Sequence, residues 1–169
     1  TAGATVEERD GGTLSGALTP AGTPHAEALD TRRLDAGLAA RALVRSDRLV
    51  SARASAVAQR HVHRFGTIRE RDLHATLFGE ASLAGNDRGH TWVLGGALQR
   101  ERYTSDDVPA FDYTHDIASV FVQDEVSPVE PLTLALSARL DAHSEYGTQF
   151  SPRLSVLLRP ADEWNVRLA

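Results

Sequence analysis

From Ala118 to Leu140 the chain reads ASVFVQDEVSPVEPLTLALSARL, two runs of alternating side chains on either side of a turn marked by proline. In the first run Ala118, Val120 and Val122 share a face with Val126, while Phe121, Gln123 and Glu125 point the other way. In the second, Leu132, Leu134, Leu136, Ala138 and Leu140 form one row, and Thr133, Ser137, Arg139 and Asp141 form the other. Side chains alternate across a pleated strand, so a period of two specifies a pair of antiparallel strands with one apolar and one wet face. The apolar face must be covered. In a soluble sandwich a second sheet covers it; in an outer-membrane barrel lipid does, and the wet face lines the lumen.

The same period runs through most of the chain. Thr1–Arg9 reads as the end of a strand, and 10–29, rich in Gly, Pro, Thr and Ser, as loop. From Thr31, Leu34, Ala36, Leu38, Ala40, Ala42 and Val44 share a face. After a turn at 45–48 the chain returns through Val50, Ala52, Ala54, Ala56 and Ala58, a hairpin. Leu73, Ala75, Leu77, Gly79, Ala81 and Leu83 form the next row, then Trp92, Leu94, Gly96 and Leu98. Leu154, Val156 and Leu158 follow the 118–140 hairpin, and Trp164, Val166 and Leu168 begin a last ascent. Two runs, 51–58 and 74–84, are rich in Ala and Leu, which in isolation favour helix. Strand spacing keeps Arg53 and Gln59 on the side of the serines, and the alternation decides for strand.

Long polar links (10–30, 64–71, 103–112, 142–149) alternate along the chain with tight ones (45–48, 84–89, 127–131, 160–163). In an up-and-down antiparallel order this sorts every long link to one rim and every short one to the other, the arrangement of an outer-membrane barrel. A strand of ~10 residues rises ~34 Å and, tilted by ~40°, crosses an apolar band of ~25 Å. The expected fold is all-β, an antiparallel up-and-down meander forming part of a transmembrane outer-membrane β-barrel. It is read as one partial barrel domain over 1–169 with about eight or nine strands, the plug and the end of the barrel being absent.

Composition excludes several other classes. No uninterrupted apolar run approaches the ~18 residues that a transmembrane helix requires. With no Cys there is neither a disulfide framework nor a thiolate metal site. All 18 basic residues are Arg, which a GC-rich coding bias explains. The net charge of −5, with acids and bases interspersed, argues against a nucleic-acid partner. The chain starts at Thr1 without Met and stops at Ala169 in mid-pattern, so it is expected to be a piece of something longer, and the lack of a leader segment says nothing about export.

Phe121-Val122-Gln123-Asp124-Glu125, then Pro128, the Leu-Thr-Leu run at 132–134 and Ala138-Arg139-Leu140-Asp141, resembles the barrel repeat of TonB-dependent receptors. So does the sequel Ser144-Glu145-Tyr146-Gly147, Phe150-Ser151-Pro152-Arg153-Leu154 and Arg159-Pro160-Ala161-Asp162-Glu163-Trp164. The family typically carries VQDEW before a periplasmic turn, LTLTAGLRYD after it, and SPRLAL with RPTDEWTLR downstream. Here Val126 stands for the usual aromatic and Leu140 for the usual Tyr, which weakens the aromatic girdle but leaves the order of elements intact. The match covers 118–169. The resemblance implies a Gram-negative outer-membrane barrel of roughly 22 strands filled by a plug. A periplasmic TonB energy-coupling complex pulls on that plug to admit a scarce ligand such as a ferric siderophore or cobalamin. Outer-membrane lipid and a small metal chelate would then be partners, with no cofactor. A passive porin, an outer-membrane phospholipase, or a soluble β-sandwich or lipocalin-like binding module are the alternatives.

Candidate ligand contacts are Tyr103, Phe111, Tyr113, Arg102, His61 and His63. Tyr103, Phe111 and Tyr113 flank an Asp106-Asp107 loop, where aromatics clamp a bulky ligand or anchor the rim. Arg53, Arg100, Arg102, Arg139, Arg153 and Arg167 are expected to line the lumen and to pair with Glu80, Glu101, Glu125 and Asp141. His61 and His63 project from one face, and paired imidazoles suit a transition metal or its chelate. No carboxylate or Cys lies at ligand spacing in the sequence, so no metal site is assigned. Trp92 and Trp164, next to short turns, read as interfacial anchors. No catalytic constellation emerges: Ser144-Glu145 beside His143 lacks a nucleophile elbow, and Gly11-Gly12 and Gly95-Gly96 lack a phosphate-loop context. The chain is read as a non-enzyme.

Overall fold

The computed structural model describes residues 1–12, 20, 22, 25–45, 47–161 and 163–168. Of the loop expected over 10–30, residues 13–19, 21, 23 and 24 lie outside them, as do the turn residues Ser46 and Asp162, while 10–12 and 26–30 are strand. Nine strands follow in chain order: β1 (Ala2–Gly12), β2 (Ala26–Arg45), β3 (Arg48–Phe65), β4 (Ile68–Asp87), β5 (His90–Ser105), β6 (Tyr113–Val129), β7 (Leu132–His143), β8 (Gly147–Ala161) and β9 (Trp164–Leu168). They form one sheet in which every strand is bonded to its sequence neighbours, the up-and-down meander that the alternation predicts. Among the described residues the only helical segment is a 3₁₀ turn at Pro109–Phe111. The Ala-rich runs are strand, as their period requires.

The register makes the alternating rows continuous. Val120 pairs with Leu140, Val122 with Ala138 and Val126 with Leu134; Leu140 then pairs with Phe150, Leu136 with Leu154 and Leu134 with Val156. On the other face Ser119 meets Asp141, Phe121 meets Arg139 and Ser137 meets Arg153. At the start of the chain Ala2 lies against Ala36 and Ala4 against Leu34. A slip of one residue would transpose all these rows, so the pattern itself specifies the pairing.

No described residue covers the apolar row. Leu38 is 73 % exposed, Leu98 68 % and Leu136 58 %, and the sole buried apolar residue among those described is Ala97. An apolar surface this extensive is one that lipid or a partner covers. The row also changes character within single strands. Arg32 precedes Leu34 in β2, Arg60 follows Ala58 in β3, Arg71 precedes Leu73 in β4, Arg100 follows Leu98 in β5, and Asp116 precedes Ala118 in β6. Apolar residues give way to charged ones at a single step, as a lipid boundary demands.

The strands are longer than the sequence suggests, and the links correspondingly shorter. β2 and β4 have 20 residues each, about twice the length of a membrane crossing. The link expected at 64–71 is only Gly66-Thr67, that at 142–149 is 144–146, and that at 103–112 begins at Asp106. Their polar residues are strand that has left the apolar band, not loop. Among the described residues only 106–112 remains a long link. On the tight side β6 continues through Ser127-Pro128 and β8 through Arg159-Pro160, each with a register shift beside the turn. Proline has no N–H for the ladder, and a bulge tolerates that loss. The Arg88-Gly89 turn has both residues at positive φ, 49° and 84°, the two-residue connection whose twist matches that of the strands it joins.

The chain divides into two compact units, one of 1–38, 55–77 and 100–115 and the other of 39–54, 78–99 and 116–169.

Candidate functional site

In the first unit the wet face carries a band of imidazole, carboxylate and phenol groups. Side-chain alternation sends His61 and His63 of β3, Asp72 and His74 of β4, Glu101 and Tyr103 of β5, and Tyr113 and His115 of β6 to it. His61 Nδ1 lies 2.8 Å from Asp72 Oδ1, and His63 Nε2 lies 3.7 Å from Asp72 Oδ2. His74 Nε2 lies 2.7 Å from Glu101 Oε1, which also accepts from the Tyr113 hydroxyl at 3.0 Å. Burial works against ionising Glu101, yet the hydrogen bonds from His74 and Tyr113 prevail and hold its carboxyl below the ordinary carboxylate value. The Tyr103 phenol is pushed up by burial and by the charge and hydrogen-bonding of Asp72. The Tyr103 and Tyr113 rings stack with centroids 5.5 Å apart, and Tyr113 stacks on His115 at 4.6 Å.

The loop beyond this band is pinned, not open. Asp106 donates its N–H to the Arg71 carbonyl at 2.9 Å, and Asp107 accepts from the Arg71 backbone at 2.7 Å and from its guanidinium at 3.1 Å. Those contacts with Arg71 hold the Asp107 carboxyl below its ordinary value. Asp112 accepts from the Ser105 N–H at 2.7 Å and closes the segment. Phe111 is left projecting, 61 % exposed.

The six candidate residues thus separate. Tyr103, Tyr113, His61 and His63 share the wet face, Phe111 stands on the loop, and Arg102 falls in the row of Leu98 and Arg100 on the opposite face. The lumen role expected for Arg100 and Arg102 fails on this parity. Two of the expected ion pairs form in the second unit, where Arg53 donates to Glu80 at 2.9 Å and Arg139 donates to Asp141 at 2.9 Å and to Ser119 at 2.8 Å. Glu101 takes His74 and Tyr113 as its partners instead of an arginine. His143, beside Ser144-Glu145, shapes a turn. Its Nδ1 accepts from the backbone N–H groups of Glu145 and Tyr146 at 3.0 and 3.3 Å. Trp92 carries the Arg48 guanidinium 5.0 Å above its ring, a cation–π anchor next to the turn.

The sequence reading missed Asp72, the residue that joins the two histidines. A two-residue turn at Gly66-Thr67 sets 61 and 72 at equal distance on either side of it. Treating 64–71 as loop hid that symmetry.

An all-β meander with an uncovered apolar row on one face and a ladder of charges on the other is the wall of an outer-membrane barrel. Residues 10–169 match the family described as "TonB dependent receptor-like, beta-barrel", and the chain belongs to that family. Its fold is shared with the crystal structure of the siderophore receptor PirA from Pseudomonas aeruginosa at a TM-score of 0.54 and 15 % identity, over 85 % of this chain and 35 % of that one. The chain thus spans about a third of the length of that receptor. No curated protein matches. The family is one of transport receptors, not of enzymes.

Proposed function

We propose that the chain is a portion of a TonB-dependent receptor that takes up a scarce small ligand, a ferric siderophore, cobalamin or a comparable metal chelate, across the outer membrane of a Gram-negative bacterium. The observation that carries this reading is the uncovered apolar row over the whole sheet, backed by a polar face, in a chain of the receptor-barrel family. Lipid supplies the missing layer. The polar face becomes a lumen in which Arg53–Glu80 and Arg139–Asp141 hold a plug, and a periplasmic TonB complex supplies the energy that the barrel wall cannot. The solved relative is a siderophore receptor, which supports a metal chelate as the first ligand to test. Tyr103 and Tyr113, stacked beside the pinned loop with Phe111 at its tip, offer the aromatic surface for it.

The test is uptake of radiolabelled ferric siderophores and of cobalamin by cells whose only such receptor is this one, with and without TonB. Uptake that vanishes without TonB is expected. Uptake that persists without it would make the protein a passive pore and overturn the reading.

A further inference from the structure

Two neighbouring strands bring three metal-ligating side chains together on the wet face of the first unit. One donor atom from each of His61, His63 and Asp72 lies within 4.8 Å of the others. Zinc held by nitrogen and oxygen ligands at about 2.0–2.1 Å in a tetrahedron keeps its donors about 3.3 Å apart. His61 Nδ1 stands 2.8 Å from one Asp72 oxygen and His63 Nε2 3.7 Å from the other, so side-chain rotations would bring one oxygen and both nitrogens to that spacing.

The surroundings also favour a ligand set over a charge ladder. Glu80 and Asp141 are met by guanidinium groups, which have no lone pair to offer a metal. Asp72, 7 % exposed, is met instead by two imidazoles, which do. The Phe65 ring stacks on His63 with centroids 5.8 Å apart and planes 13° from parallel. That packing limits the rotation of the His63 imidazole. The iron of a ferric chelate is already enclosed by hard oxygen donors and leaves nothing for imidazole, whereas two His and one carboxylate suit a borderline divalent ion with one position open.

We propose that His61, His63 and Asp72 bind one divalent cation of the zinc, copper and nickel class, its fourth position facing solvent. The site stands on this geometry whether or not the receptor carries a chelate.

The test uses the untagged receptor in detergent micelles, stripped with a chelator and titrated with Zn²⁺ by calorimetry and with Cu²⁺ by electron paramagnetic resonance. One tight equivalent per chain is expected, with a copper spectrum showing two coordinated nitrogens. His61→Gln and His63→Gln should each remove one nitrogen and weaken zinc by more than the roughly 10–100-fold that losing an outer-shell partner costs. His90→Gln, whose ring pairs with Asp124 on the apolar-row face, should change neither. Asp72→Asn should weaken zinc as much while leaving both nitrogens in the copper spectrum. Folding of each variant is checked by the heat-dependent gel mobility of intact barrels. Should Asp72→Asn fail to fold, His63→Gln decides, since that side chain is already one-third exposed. Wild-type protein that takes up no tight equivalent overturns the proposal. So does a tight equivalent that survives both histidine substitutions.

Discussion

Asp107 ties the 106–112 loop to β4 through three contacts with Arg71, and its depressed carboxyl makes that tie pH-dependent. A carboxyl held below its unfolded value stabilises the tethered loop at every pH above that value, and the stabilisation is lost as pH falls through the lower, folded one. Amide exchange or protease nicking within 106–112 should therefore accelerate on acidification. Asp107→Asn should make it fast already at neutral pH and nearly flat below; a wild-type loop indifferent to acid would refute the assignment. Gly95 is set by a different force. A Cβ there would sit 2.4 Å from the Phe121 ring and 2.7 Å from the Ala81 carbonyl oxygen, and the second of these is backbone that cannot swing aside. Gly95→Val should destabilise the folded protein by about 1–3 kcal/mol, the usual cost of overpacking, read from urea unfolding in detergent. Such close approaches are invisible in the sequence, because no periodicity reports how near a ring from the next strand comes. The convergence of His61 and His63 on Asp72 escaped for a related reason: the spacing of two histidines is local, but their acid lies across a turn that composition misplaced.

Strands were legible in kind and illegible in length. Alternation specified the apolar rows of the strands, since one slip exposes the wrong row. It could not mark where β3 ends, because Arg64 and Phe65 are as acceptable in a strand above the lipid as in a loop. Parity still applies there, and it is parity that moves Arg100 and Arg102 out of the polar face. The two rows make a paired prediction within β7. Leu136→Arg, on the uncovered row, should cost about 2–4 kcal/mol of folding stability in a bilayer, as charges do near the membrane midplane. Ser137→Arg, one residue on and facing the polar side opposite Arg153, should cost far less. Equal losses, or a larger one at Ser137, would mean that lipid does not cover the leucine row.

For the whole molecule, the family and the meander place the tight turns and the longer links at opposite ends of the strands. This portion has no Cys, so in a receptor cleared of any other cysteine a single introduced thiol reports its own side of the membrane. Ala110→Cys, in the 106–112 loop, should react with a membrane-impermeant maleimide on intact cells. Asn86→Cys, beside the Arg88-Gly89 turn, should react only after the envelope is opened. The reverse pattern would invert the barrel, and labelling of both on intact cells would remove it from the membrane.

The step from leucine to arginine along each strand carries one more consequence. In β4 the apolar row from Leu73 to Leu83 spans roughly 34 Å of strand, or about 26 Å of depth at the tilt usual in barrels. That dimension is built into covalent order and cannot stretch. A film of longer acyl chains must thin around the protein, at a fraction of a kcal/mol for each ångström of mismatch, so the wall favours thin bilayers, as the bacterial outer membrane is, over thick ones.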